Sequence, residues 1–231
     1  MAVFNLFDLD IEVDDDQLSE PIQRGLTRGW YEVDEVGLIR HAVKPGDRVL
    51  DLGAGLGVTA MVAARIVGAE AVWAFEANPG LIGQLKRNLL RNGLELKVDN
   101  AVLLPRARAA TEPVIKLNLG SEFWGSSVLS GDGSKPGGVA EVPTRCLEDV
   151  IAAHRANVLV MDIEGLEVEI LETARLDGID KIIVEIHYDK VGRQRTNRAI
   201  FDLAREGLEI DLQRAYRGVL LLTRQNARTA A

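Results

Sequence analysis

The sequence predicts an α/β fold, a doubly wound and mostly parallel seven-stranded sheet covered by helices, and three observations carry that prediction. From Arg48 onward, short apolar runs alternate with helix-period segments, the pattern of strands buried on both faces. At residues 49–57 an apolar run breaks into a glycine turn that opens a helix. Two later runs, 157–161 and 181–186, end abruptly in acids. A chain of 231 residues that is 47% hydrophobic and 27% charged suits one globular unit with a small attachment.

The elements follow in order. Residues 1–45 are expected to form an N-terminal helical cap, because they carry the acidic run Asp14, Asp15, Asp16 and helix punctuation but no strand-like apolar run. Ser19 caps a short helix with Pro21 in its first turn, and Val36, Ile39 and Val43 share one face of a second. The turn at 44–47 leads into a core domain, 46–231. Strands are expected at 48–52, 71–75, 96–102, 157–161 and 181–186, with helices at 58–67, 81–92, 146–153 and 198–206. Gly93 closes the second of these helices, and 208–214 with 218–223 form a terminal antiparallel hairpin. Residues 105–144, rich in Gly, Ser and Pro, read as an insertion long enough to be a mobile lid.

Composition narrows the function classes. With 35 acidic against 27 basic side chains and a net charge of -8, no nucleic-acid partner is expected. No apolar run is long enough to span a bilayer and the N-terminus is acidic, so no membrane association and a cytoplasmic location are expected. The single Cys146 and three histidines argue against a structural zinc site, and no metal is expected. The oligomeric state stays open, a homodimer included.

The chemistry starts at the glycine turn, Asp51-Leu52-Gly53-Ala54-Gly55-Leu56-Gly57. Such glycines admit a ligand close to the backbone and present helix-terminal N–H groups to it. A dinucleotide fingerprint would need its third glycine at position 58, which is Val, so a pyrophosphate fits poorly. Asp51 opposes a diphosphate but suits a ligand bearing an ammonium and a sulfonium. Glu76, in Phe75-Glu76-Ala77-Asn78-Pro79, sits where a carboxylate accepts both hydroxyls of a ribose. Glu76 alone leaves NAD and S-adenosylmethionine open; together with the turn it favours the latter. Asn100 and Ala101, past the third strand, border the adenine by position.

In an open parallel sheet, ligands bind beyond the carboxyl ends of the strands. There Asp162-Ile163-Glu164-Gly165 and Glu185-Ile186-His187-Tyr188 arrive, with Asp162 and Glu164 on one side of their strand and Glu185 and His187 sharing a face of the next. His187 is the expected general base by residue type, oriented by Glu185 or Asp162. Asp162 and Glu164 serve the same catalytic centre, bind the cofactor's ammonium or, with a third ligand, hold Mg²⁺.

With Tyr31-Glu32 and Gly125-Ser126-Ser127, these motifs resemble the FkbM family of S-adenosylmethionine-dependent class I methyltransferases over nearly the whole chain. The Asp-x-Glu-Gly and Glu-x-His pair is the more specific part; the departure in the following Leu166-Glu167 is Leu166, where alanine before the glutamate is commoner. The resemblance implies a Rossmann-like fold and O-methylation of a hydroxyl, or a carboxylate, on a small molecule such as a sugar or natural product. It implies cofactor contacts from Glu32, Asp51, Gly53, Gly55, Gly57, Glu76, Asn78, Asn100, Ala101 and Asp162. Acceptor contacts are expected from Trp124, Ser126, Ser127, Glu185 and Tyr188. The alternatives are an NAD-dependent dehydrogenase and a nucleotide-binding module without turnover.

Overall fold

In the computed structural model, residues 1–119 and 138–224 are described. Seven strands form the main sheet in the order β11 (Leu208–Ile210), β12 (Val219–Arg224), β10 (Lys181–Glu185), β9 (Val158–Met161), β3 (Val49–Leu52), β4 (Val72–Glu76) and β5 (Lys97–Asn100). All neighbours from β10 to β5 pair in parallel, whereas β12 pairs antiparallel with both β10 and β11, giving the mixed sheet expected of a terminal hairpin. From β3 the chain steps to β4 and β5 on one side, then returns to lay β9 on the other. That reversal opens a crevice at the carboxyl ends of β3 and β9.

Alternation along the strands fills two cores. Val49, Ala74, Val160 and Ile183 face one side, packed with α2 (Val33–Ala42) and α3 (Val58–Val67). Leu50, Phe75, Met161 and Val184 face the other, beneath α6 (Leu147–His154), α7 (Glu167–Thr173) and α9 (Arg193–Arg205). The remaining helices are α1 (Glu20–Thr27), capped by Ser19, α4 (Pro79–Arg91), α5 (Arg106–Ala109) and α8 (Tyr188–Val191).

Two expectations are corrected. The N-terminal segment is not purely helical: β1 (Ala2–Leu6) and β2 (Leu9–Val13) form an antiparallel hairpin. Leu9, Ile11 and Val13 alternate with Asp10 and Glu12, a half-buried strand whose acids masked its period. The turn is made by Phe7 and Asp8, both with positive φ (55° and 66°), without the glycine that usually signals a two-residue hairpin loop. The free edge of β2 is satisfied by side-chain amides of α4. Asn88 accepts from Glu12 N at 2.8 Å and Asn92 from Asp10 N at 2.9 Å, while their Nδ2 atoms donate back to the carbonyls of the same two residues.

The expected third strand is the second correction. Its chain leaves the main sheet at Ala101 and continues as β6 (Val102–Leu104) in a separate three-stranded sheet, β6-β8-β7, with β7 at Val114–Asn118 and β8 at Val139–Cys146. The described ends of the 105–144 segment are therefore folded around a small core of Val102, Leu104, Ile115, Leu117 and Val142. Trp124, Ser126 and Ser127 lie outside the described residues.

Candidate active site

The turn after β3 passes so close to β9 that it admits no side chain. A Cβ on Gly53 would lie 1.8 Å from the Asp162 carbonyl oxygen, and Gly53 has φ +85°. The approach is fixed by Gly53 N donating to Phe75 O at 2.9 Å and Asp162 N donating to Leu52 O at 3.0 Å. Gly55 faces the N-terminal segment, where its Cβ would meet Tyr31 Oη at 3.2 Å. A cleft opens there, floored by Gly53, Gly55 and Glu76 and flanked by Tyr31, Glu32, Asp162 and Glu164. Its remaining wall is apolar, with Phe75, Ala101, Val102, Leu103, Leu117 and Leu166.

Glu76 closes the end of β4 and is buried, which raises its pKa, against the pull of hydrogen bonds from Asn78 N (2.6 Å) and Gly55 N (2.8 Å). Asn100 braces the same corner by donating to the carbonyls of Glu76 (2.8 Å) and Ala77 (3.0 Å). Asn78 caps α4 by accepting from Gly80 N. Asp51 sits beneath the loop, accepts from Thr59 Oγ1 at 2.9 Å and does not line the cleft; burial pushes its pKa up to about 7. Gly57 opens α3 with φ 92° and likewise does not line the cleft. Of the expected cofactor contacts, Glu32, Gly53, Gly55, Glu76, Ala101 and Asp162 line it, while Asp51, Gly57, Asn78 and Asn100 support it from behind.

Across the cleft the strand-end acids converge on His187 as their spacing implied. His187 Nε2 lies 3.5 Å from Glu164 and 3.8 Å from Asp162, and its Nδ1 lies 2.9 Å from Glu167. Lys190 pairs with Glu164. Burial alone would lower the imidazole pKa, but hydrogen bonds to Glu164 and Glu167 and the charge of Asp162 push it up to about 11. At neutral pH His187 is then an imidazolium with no free lone pair for a proton. The expectation of His187 as the base does not fit this setting, because the acids assumed to orient the ring also hold its proton.

Asp162 is the opposite case. Its Oδ1 is sealed from solvent and has no hydrogen-bond partner among the described residues, and burial, reinforced by Glu185, raises its pKa well above the usual carboxylate range. Glu164 is held low, since His187 and Lys190 outweigh its burial. It also adopts a left-handed φ of 57°, which costs a non-glycine residue about 1–2 kcal/mol and so needs anchoring. Glu185 is raised by burial and shares a hydrogen bond with Glu35, itself pushed by burial up to about 7. Glu185 and Tyr188 stand behind the cleft and not in its wall.

Asp162, Glu167 and His187 each bring an atom within 4.8 Å of the others, the spacing of a cation site. Glu167, however, already accepts from Ile163 N, Gly165 N and His187, so the trio is a hydrogen-bonded network and not a set of free ligands. Glu167 is indistinguishable in the sequence from any acid in the first turn of a helix, and only its folded partners reveal it. The apolar wall escaped because Val102, Leu103, Leu117 and Leu166 carry no chemical signature. The residues present fit S-adenosylmethionine: a Gly53 position that a Cβ would block, a strand-end carboxylate at Glu76, apolar walls and an orphaned buried oxygen on Asp162.

Known proteins resemble this chain in sequence and in fold. A ribosomal protein L11 methyltransferase of Thermotoga neapolitana is 27% identical over 124 residues, which is 53% of this chain and 39% of that protein. The chain thus spans less than half the length of that relative. A protein of Pyrococcus horikoshii described as a "putative transferase" shares the fold with a TM-score of 0.50 at 15% identity, covering 97% of this chain and 72% of that one. A tRNA (uracil-54, C5)-methyltransferase of Pyrococcus abyssi, solved with S-adenosyl-L-homocysteine, has a TM-score of 0.48 at 15% identity, covering 96% and 42%. Residues 51–217, well over half of the chain, match the methyltransferase FkbM domain, and the chain belongs to that family.

Proposed function

We propose that this protein is an S-adenosylmethionine-dependent O-methyltransferase acting on a hydroxyl of a small molecule such as a sugar or natural product. The supporting observation is the convergence of the Gly53–Gly55 loop, Glu76 and Asp162 in one cleft at the point where the strand order reverses. The bound cofactor supplies an electrophilic methyl group on a sulfonium. Glu76 has lone pairs left for ribose hydroxyls, and the apolar wall from Phe75 to Leu117 suits a purine. Glu32 and Asp162 favour the positive end of the ligand.

An alcohol attacks poorly while it keeps its proton, and Asp162 is the group placed to take it. Burial raises its proton affinity, and the imidazole of His187 at 3.8 Å and the positive charge of a bound cofactor both pull toward the ionised form from which it can accept a proton. Holding the nucleophile in place and excluding water supply the rest. A carboxylate acceptor would meet Asp162 and Glu164 in the cleft wall, so a neutral hydroxyl is the better fit.

A second reading, transfer to an amine of a protein, is favoured by this carboxylate excess and by the relatives named as ribosomal protein methyltransferases. Titration with S-adenosylhomocysteine, followed by methyl transfer from S-adenosylmethionine to sugars, hydroxylated natural products, a lysine-rich peptide and an RNA, separates the readings. Methyl ethers support the first and methylated amines the second. Transfer to RNA overturns both acceptor readings and the inference drawn from net charge. Absence of S-adenosylhomocysteine binding overturns the cofactor.

A further inference from the structure

Glu167 does not line the cleft, yet its carboxylate joins the two strand ends on which the proposed chemistry depends. It is fully buried at the start of α7, with its side chain folded back over the turn that precedes the helix. Oε1 accepts from Ile163 N at 3.1 Å and meets His187 Nδ1 at 2.9 Å, while Oε2 accepts from Gly165 N at 2.8 Å. The two anchored N–H groups flank Glu164, the residue held in the left-handed conformation. Fixing Nδ1 leaves Nε2 as the ring atom turned toward Asp162 and Glu164.

We propose that Glu167 is the positioning residue of this site: through one carboxylate it locks the Asp162–Gly165 turn and the His187 ring in a single arrangement, so that Asp162 faces the acceptor with the imidazolium beside it. This rests on reading the cleft as a methyl-transfer site. A carboxylate with a merely structural role would need only the two backbone partners. The third partner, a side chain from the end of the neighbouring strand, ties the turn to the chemistry. The groups facing His187 are Asp162 and Glu164 from the turn after β9, Glu167 from α7 and Glu185 at the end of β10. Lys190 of α8 balances Glu164, and Glu35 of α2 joins through Glu185.

The test compares the parent with Glu167→Gln and Glu167→Ala. Gln keeps the size and one acceptor, which can still serve Ile163 N and the imidazole, but sets an amide N–H against Gly165 N; Ala removes the anchor. Selective ¹⁵N labelling of histidine gives resonances for only His41, His154 and His187, and His187→Gln assigns the third. In Glu167→Gln the ring nitrogen signals of His187 are expected to leave the imidazolium position at pH 8, where the parent holds it. S-adenosylhomocysteine affinity should stay within about twofold, while turnover on the acceptor used by the parent falls about 10- to 100-fold with KM little changed. Glu167→Ala should repeat the loss of turnover with a lower melting temperature. Parental ring signals with parental turnover in Glu167→Gln overturn the proposal, as does a lower melting temperature with unchanged ring signals, which marks a structural role alone. If the parent fails to bind S-adenosylhomocysteine, the reading of the cleft fails, and the ring signals still decide whether Glu167 positions His187.

Discussion

Replacing Gly53 by alanine tests the closest approach in the site. The new Cβ would fall 1.8 Å from the Asp162 carbonyl oxygen and 2.8 Å from its carbon. Ordinary contact lies at about 3.5 Å, so the β3 turn and the end of β9 would have to part by roughly 1.5 Å. Parting them breaks the Asp162 N to Leu52 O and Gly53 N to Phe75 O bonds that align the cleft. Holding a non-glycine residue at positive φ costs about 1–2 kcal/mol, and overpacking about 1–3 kcal/mol more, a sum of roughly 2–5 kcal/mol. For a chain of this size that lowers the melting temperature by roughly 4–20 °C. Gly93→Ala is the control, since Gly93 has φ +67° but nothing within 4 Å of its Cβ position; it carries the backbone cost alone. The assay is calorimetric melting of both variants with titration of S-adenosylhomocysteine. Gly53→Ala should melt below Gly93→Ala and lose affinity; equal melting temperatures, or parental affinity in Gly53→Ala, would refute the reasoning.

Three further outcomes are expected. Glu76→Ala should weaken S-adenosylhomocysteine binding by about 1–3 kcal/mol, roughly 5- to 150-fold, measured by titration calorimetry, the scale for losing hydrogen bonds to a charged group. Because the folded pKa of His187, about 11, lies above its unfolded value of 6.5, its contribution to stability is complete below about pH 6.5 and lost as pH rises through 11. The stability difference between parent and His187→Gln in urea titrations should therefore shrink from pH 6 to pH 11. Asn88→Ala strips partners from Glu12 N, Glu12 O and Leu56 O at once, and urea titration should show a loss of roughly 2–4 kcal/mol as the N-terminal hairpin loosens from α4.

How much of this was legible in the sequence depends on what kind of signal each part leaves. The main sheet was readable because β3, β4, β9 and β10 are apolar on both faces, so each run announces itself without reference to its partners. The ends of β3, β4 and β9 were readable too, since a glycine turn or an acid directly after an apolar run has few explanations. The N-terminal hairpin was not, because Asp10 and Glu12 belong to a strand only once Arg87, Arg91 and the α4 amides are in place to receive them. Nor was the departure of β6 from the main sheet: Val98 and Val102 look like one strand until Asn100 turns to bond the Glu76 corner. Glu167 shows the same limit, for its meaning lies in a histidine 20 residues away.

His187 shows how its surroundings alter what residue type suggests about a proton. An isolated imidazole titrates near neutrality and makes a natural base, but here three carboxylates surround it, two through Nε2 and one through Nδ1. Each favours the protonated ring, so the cluster distributes roles by burial and charge. Glu164 is buried in part, but its pairing with His187 and Lys190 holds its pKa below the usual carboxylate range. Asp162, with an oxygen that is sealed from solvent and has no partner among the described residues, is raised well above the usual carboxylate range by burial. Around it, Glu32, Glu35, Asp51, Glu76 and Glu185 are all raised by burial, so each disfavours ionisation until positive charge enters the site. A sulfonium and an ammonium bring that charge, and a phosphate would not. The acids in and behind the cleft thus favour the same cofactor that the glycine turn and the Glu76 corner are shaped to hold, and under the proposed function Asp162 is the group through which cofactor binding and proton removal would be coupled.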